Sequence, residues 1–170
     1  MTQTTDSTED GRAKVAELVD QARFCMLTTM TDDGRHVSRP MAVQGVEFDG
    51  DLWFFVDDGS DKVAQVRSHP QVNAAFDDGD HQAWTSISGA AEVVHDRAKM
   101  EELWSQPLEI WFSDGLDTPG IALLKVHAET AEYWEASRSR VKRLIGAVRA
   151  AVTGDPDKYP ADNETTRLQP

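Results

Sequence analysis

Two Asp-Gly steps, Asp33-Gly34 and Asp49-Gly50, each separate a pair of short β-prone apolar runs, and this limits the fold more than anything else in the chain. Asp-Gly readily takes the positive-φ conformations of a tight hairpin, so the run after it returns antiparallel to the run before it. "RFCMLTTM" (23–30) should therefore pair with a long strand, "HVSRPMAVQGVEF" (36–48), and that strand should turn at 49–51 into "LWFFV". A turn, "DDGS", and a short helix over 62–69 follow, ending before Pro70. "QVNAAFDD" (71–78) and "HQAWTSISGAAEVVH" (81–95) read as further strands, with Gly89 as a bulge or a point of close backbone approach.

Helical periodicity marks three further places. Val15, Leu18, Val19 and Ala22 form one stripe. Asp96 can cap a helix presenting Met100, Leu103 and Trp104, which stops near Pro107. Val141, Leu144, Ile145 and Val148 predict a last helix over 139–151. Residues 108–120 read mainly as loop, and "IALLKVHAETAEYWEAS" (121–137) as one or two strands. Six or so strands joined mainly by hairpins, with short helices between them, predict a mainly β, α+β fold: an antiparallel barrel with helical inserts. The expected organisation is a polar, disordered N-terminus at 1–10, one domain over 11–152 and a polar, disordered tail at 153–170.

A net charge of −13 argues against nucleic acid or an anionic membrane as partner. The single cysteine, Cys25, lies in an apolar strand and reads as a core residue. With no secretory-type leader at 1–14 and no apolar run of the roughly 18–20 residues a bilayer crossing needs, a cytoplasmic location is expected. His36, His69, His81, His95 and His127 show no metal-ligand spacing, so no metal site is expected. There is no G-x-S-x-G elbow and no phosphate P-loop. Trp53, Trp104 and Trp134 read as packing residues, while Trp111-Phe112 either stacks on a ligand ring or fills core under the loop. The run Arg138, Arg140, Lys142 and Arg143 reads as a solvated helix face, a contact for an acidic partner patch or a clamp for a substrate phosphate.

Two cations are awkwardly placed. Lys62 falls in the first turn of its helix, where the backbone already carries partial positive charge. Ser60 is a good N-cap, but Val63 cannot complete a capping box, so free N–H groups, the Ser60 hydroxyl and the Lys62 ammonium meet at one point. Arg39 shares a strand face with Val37, Met41 and Val43, and Pro40 beside it demands an edge or a bulge. Two readings stay open: a surface Lys62 paired with Asp57, Asp58 or Asp61 and an internal pair of Arg39 with an Asp or Glu, or convergence of both cations on one phosphate.

"SRPM", "WFFVDDGSDK" and "WTSISGAAEVV", in that order and spacing, resemble the pyridoxamine 5′-phosphate oxidase-like FMN-binding split barrels. "WFSDG" at Trp111–Gly115 and "LLKV…AEYW" at Leu123–Trp134 resemble the general stress protein branch, and the likeness covers about residues 12–137. The resemblance implies a Greek-key split β-barrel homodimer with flavin, FMN first and FAD or the deazaflavin coenzyme F420 as alternatives, at the subunit interface. It implies that Arg39, Pro40, Met41 and Ala42 line the flavin, that Phe55 and Val56 flank its ring or ribityl chain, and that Ser60, Asp61 and Lys62 hold its phosphate. Trp84, Ser86 and Ser88 would complete the pocket across the dimer, with Trp111 at the ring. The oxidases commonly carry arginine where this chain has Asp61, and an arginine- and histidine-bearing final strand where it has "AEYWEASRSRVKRLIGAVRAAV". The implied function is an FMN-dependent oxidoreductase acting with a small-molecule substrate or electron donor, not a true pyridoxamine-phosphate oxidase; a non-catalytic flavin-binding stress protein is the alternative.

Overall fold

Asp33-Gly34 turns β2 (Phe24–Met30) back onto β3 (His36–Ala42), in register from Met30↔His36 to Phe24↔Ala42, with Gly34 at φ 83°. The loop is wider than a two-residue turn: Thr31 N–H donates to the Arg35 carbonyl and Gly34 N–H to the Thr31 carbonyl. The computed structural model describes residues 4–5, 9–45, 48–78, 83–135 and 163–167. Within them lie β1 (Thr4–Thr5), α1 (Glu9–Ala22), β4 (Asp51–Asp57), α2 (Asp61–Ser68), β5 (Gln71–Asp78), β6 (Ala83–Val94), α3 (Arg97–Leu103), β7 (Ile121–Glu135) and β8 (Asn163–Arg167), with 3-10 turns at Gln106–Ile110 and Gly115–Asp117.

The sheet runs β1-β8-β7-β6-β5-β2-β3, and β4 pairs antiparallel with the first half of β7, from Asp57↔Ile121 to Asp51↔His127. β3 is shorter than the sequence predicts, ending at Ala42 rather than 48. Past it, Val43 N–H still donates to Arg23 O while Gln44 N–H donates to Trp53 O, so the chain swings from β2 towards β4. That crossing brings the two open edges together and curves the sheet into a split barrel. Pro40 sits on the edge strand β3, where its missing N–H breaks no ladder.

Gly89 is the bulge. The β6–β7 register shifts between Ser88 and Gly89, and a Cβ at 89 would stand 2.0 Å from the His127 carbonyl oxygen. Alternation on β2 and β6 sends Cys25, Leu27, Thr29, Ala83, Thr85 and Ile87 inward and leaves Met26, Trp84, Ser86 and Ser88 outside. One core joins Val15 and Val19 of α1 to Leu27, Phe54, Val63, Ile87 and Val126; Cys25 belongs to it, and burial pushes its thiol up to about 12. A second cluster packs Phe55, Met100, Leu103, Leu108, Phe112 and Leu123, with Trp53 and Trp104 half-buried against it. Asp96 caps α3 as expected, accepting from Lys99 N–H at 3.1 Å.

Within the stretches expected to be disordered, 1–10 and 153–170, the described residues 4–5 and 163–167 form strands and 9–10 begin α1. β8 pairs antiparallel with β7, from Trp134↔Asn163 to Thr130↔Arg167, and β1 pairs parallel with β8. Strand pairing is held through backbone hydrogen bonds and needs no apolar face, which is why composition gave no sign of it. The helix expected over 139–151, and the basic run with it, lie outside the described residues.

Candidate functional site

Where β3, β4, the start of α2 and the Gln106–Ile110 turn meet, they enclose a half-open cavity of about 460 Å³. Its polarity is divided. Arg39, Asp57 and Lys62 stand among its lining, while Pro40, Met41, Ala42, Phe55, Val56, Leu108 and Phe112 make apolar walls. Phe24 and Trp111 stand at its rim, the latter 60% exposed. Phe55 is fixed from behind by Trp104 (edge-on, 5.4 Å between centroids) and Phe112 (6.2 Å), so this wall is a packed aromatic cluster. The pair Trp111-Phe112 therefore divides: Phe112 is core and Trp111 is rim.

Neither cation of the cavity is held by a direct ion pair among the described residues. The Arg39 guanidinium donates from Nη1 to Thr29 Oγ1 (2.6 Å) and Leu27 O (3.3 Å), and from Nη2 to Gln65 Oε1 (3.1 Å). All three acceptors are neutral. Lys62, from α2, makes no hydrogen bond or ion pair among the described residues. Burial holds its ammonium below the usual lysine range; the nearby Arg39 charge adds to that, and Asp57 and Asp61 partly oppose it. Arg39 is lowered too, by burial, with Asp61 opposing. Two half-buried cations thus repel each other at one end of an apolar cavity, an arrangement an anion would relieve.

At the turn before α2, Ser60 occupies the N-cap with no side-chain capping bond; its hydroxyl donates to the Asp57 carbonyl at 2.6 Å. Ser60 is not part of the cavity lining. Asp61 faces a second, smaller hollow of about 230 Å³, shared with Thr31, Asp32, Ala64, Gln65 and Ser68. Trp84, Ser86 and Ser88 also lie away from the cavity. They stand on the outer sheet face, where Asn73 Nδ2 donates to both serine hydroxyls and Trp84 is 44% exposed. The structure thus gathers eight of the thirteen expected residues, Arg39, Pro40, Met41, Ala42, Phe55, Val56, Lys62 and Trp111, into one cavity.

Sequence reasoning passed over Gln44, Asp57, Phe24 and Leu108 as lining residues. Gln44 is 6% exposed; its amide Nε2 donates to Ala42 O, and it carries the only neutral polar side chain of the lining. Thr29 and Gln65 were also missed. The available signal was parity: Thr29 shares the inward face of β2 with Cys25 and Leu27, and an inward hydroxyl there needs a partner.

An antiparallel split barrel whose cavity pairs apolar walls with two half-buried cations defines the class. Residues 10–157 match the pyridoxamine 5′-phosphate oxidase like family, and the chain belongs to it. It is similar to Protein bli-3 of Neurospora crassa, 28% identical over 144 residues that cover 79% of this chain and 69% of that protein. The general stress FMN/FAD binding protein of Xanthomonas citri is 28% identical with a TM-score of 0.67, over 76% of this chain and 92% of that one. A protein from Clostridium acetobutylicum related to general stress protein 26 is 25% identical with a TM-score of 0.65, over 75% of this chain and 90% of that one.

Proposed function

We propose that the cavity binds a flavin, FMN, and that the chain is a flavin-dependent oxidoreductase rather than a pyridoxamine-phosphate oxidase. The observation that carries this reading is the convergence of Arg39 and Lys62, neither with an ion-pair partner among the described residues, beside apolar and aromatic walls. Residues present fit the group: two cations for a phosphate, Met41, Ala42 and Val56 for a flat ring system, and the buried Gln44 amide for a polar ring edge. The flavin-binding relative from Xanthomonas citri supports the same reading. Asp32 and Asp61, across Gln65 from Arg39, would repel a second phosphate or an acidic tail, which favours FMN over FAD or coenzyme F420.

A bound flavin supplies one- and two-electron transfer; the protein's part is to anchor, orient and shield. Arg39 and Lys62 fix the phosphate, the Phe55 cluster keeps one wall rigid, and Trp111 controls access from solvent. The titratable lining residues, Arg39, Asp57 and Lys62, leave no general acid or base along the apolar walls. That same observation favours a second reading, a non-catalytic flavin-binding stress protein.

The sheet face carrying Met26 (44% exposed), Ala75, Pro40 and Ser86 in neighbouring register is continuous with exposed Phe24 and Trp84. We take this face as the contact between two copies, with Trp84, Ser86 and Ser88 of one approaching the cavity of the other. The test is an absorbance spectrum of the purified protein, then extraction and mass measurement of any chromophore, then anaerobic addition of a reduced nicotinamide. A flavin peak with the FMN mass that bleaches on addition supports the oxidoreductase. A peak that no donor bleaches leaves the binding protein, and absence of affinity for added FMN refutes both.

A further inference from the structure

We infer that Gln65, with Thr29, positions Arg39: the two hold its guanidinium at the cavity with neutral acceptors and so leave its charge for a ligand. The inference rests on the phosphate-binding reading of the cavity and adds the device that makes it possible. The hydrogen bonds close a ring whose directions are fixed. Arg39 donates from Nη1 to Thr29 Oγ1; Thr29 therefore spends its own hydrogen on Gln65 Oε1, at 2.5 Å; Arg39 Nη2 donates to the same Oε1. A flipped Gln65 would set its NH₂ against two donors, so its orientation is determined.

Leu27 O takes one more hydrogen, which accounts for three of the five guanidinium N–H groups and leaves two for a ligand. Thr29 is 1% exposed, so its hydroxyl would be orphaned without this ring. Gln65 stands three residues after Lys62 on α2, within one turn of it, so one helix delivers both the second cation and the brace for the first. A carboxylate at 65 would reach the same place and hold Arg39 more firmly. It would also neutralise the charge that the cavity presents. An amide braces without competing.

The charge-only substitution Gln65→Glu separates this role from a merely structural one, with Thr29→Val as the second variant. Affinities of the flavin-free full chain for FMN and for riboflavin, which lacks the phosphate, are measured by fluorescence quenching. Thermal shifts with inorganic phosphate give a readout that needs no flavin. Gln65→Glu is expected to keep or raise the melting temperature and to leave riboflavin affinity within about twofold, while the FMN-over-riboflavin preference falls about tenfold or more. Thr29→Val should lower that preference by a smaller factor, and the stabilisation by inorganic phosphate should be lost in Gln65→Glu.

An unchanged FMN preference in Gln65→Glu overturns the inference, as does an equal loss of both flavins in both variants. Should wild type show no FMN preference, the reading in which the cations hold the flavin phosphate fails on its own. The inference is then decided by inorganic phosphate: stabilisation of wild type that Gln65→Glu abolishes supports it, and any other result refutes it.

Discussion

Replacing Lys62 by methionine should make the empty protein more stable and the site worse. The ammonium is held below its ordinary pKa by burial first and by the Arg39 charge second, so in the ligand-free fold it is a net liability. Methionine keeps an unbranched apolar stem of similar length at the cavity and removes the charge. The sign follows from proton binding. A lysine whose folded pKa is depressed binds fewer protons folded than unfolded between the folded and unfolded values, so its penalty is complete below the folded pKa and fades as pH rises towards the unfolded one. At neutral pH the gain is bounded by what a partly solvated charge pair is worth, about 1 kcal/mol or less. For a chain of this size that is a rise in Tm of about 2–4 °C at most. If the cavity holds FMN as proposed, the same substitution should remove a charge-assisted contact to its phosphate, about 1.5–3 kcal/mol, or roughly 10- to 100-fold in FMN affinity. Differential scanning calorimetry of the empty protein across pH 6–10 and paired FMN and riboflavin titrations read both effects. A lower Tm in Lys62→Met, or equal loss for the two flavins, would refute the reasoning.

Gly89→Ala sets a Cβ 2.0 Å from the His127 carbonyl oxygen, which is backbone and cannot yield cheaply; a cost of about 3 kcal/mol or more is expected in chemical denaturation. Light scattering should give twice 18.9 kDa for wild type, and Met26→Asp on the exposed sheet face should give the monomer with weakened flavin binding. Burial alone would raise the Asp51 carboxyl, but hydrogen bonds from His127 and Lys125 outweigh it and hold the group low. Its stabilisation is therefore present above the ordinary carboxylate pKa and lost as pH falls through the lowered value, so Asp51→Asn should flatten the acid limb of the stability curve by about 1 kcal/mol. Flavin-loaded protein should not be bleached by pyridoxine phosphate in stopped flow; rapid bleaching would overturn the exclusion of that activity.

Local chemistry made the fold readable. The Asp33-Gly34 turn, the Pro40 edge, the Gly89 bulge and the Asp96 cap are each decided within a few residues, and each stands where the sequence placed it. The cavity was readable wherever a residue was out of keeping with its element, as Arg39 and Lys62 were. Gln44 and Leu108 carry no such mark. Their places depend on the crossing after Ala42 and on how the Gln106–Ile110 turn docks, which are tertiary facts. Arg39 also shows a limit of charge arithmetic: a half-buried guanidinium asks for a partner, and the fold answered with a threonine and a glutamine rather than an acid. Asp61 fell elsewhere because its neighbour on the helix, not it, turns to the cavity.

Among the described residues β4 has a single strand neighbour, the first half of β7, and the two are separated in the chain by α2, β5, β6 and α3. Phe55, Val56 and Asp57 therefore stay without their wall until Ile121–His127 has been synthesised and paired. During translation the β2–β3 hairpin forms from local contacts, but the cavity is among the last parts to close, because the long loop must be ordered before its contacts reward it. A nascent chain held on the ribosome short of residue 121 exposes the apolar "LWFFV" edge and has no place for a cofactor. Any ligand of this cavity is therefore taken up only after Ile121–His127 has paired with β4.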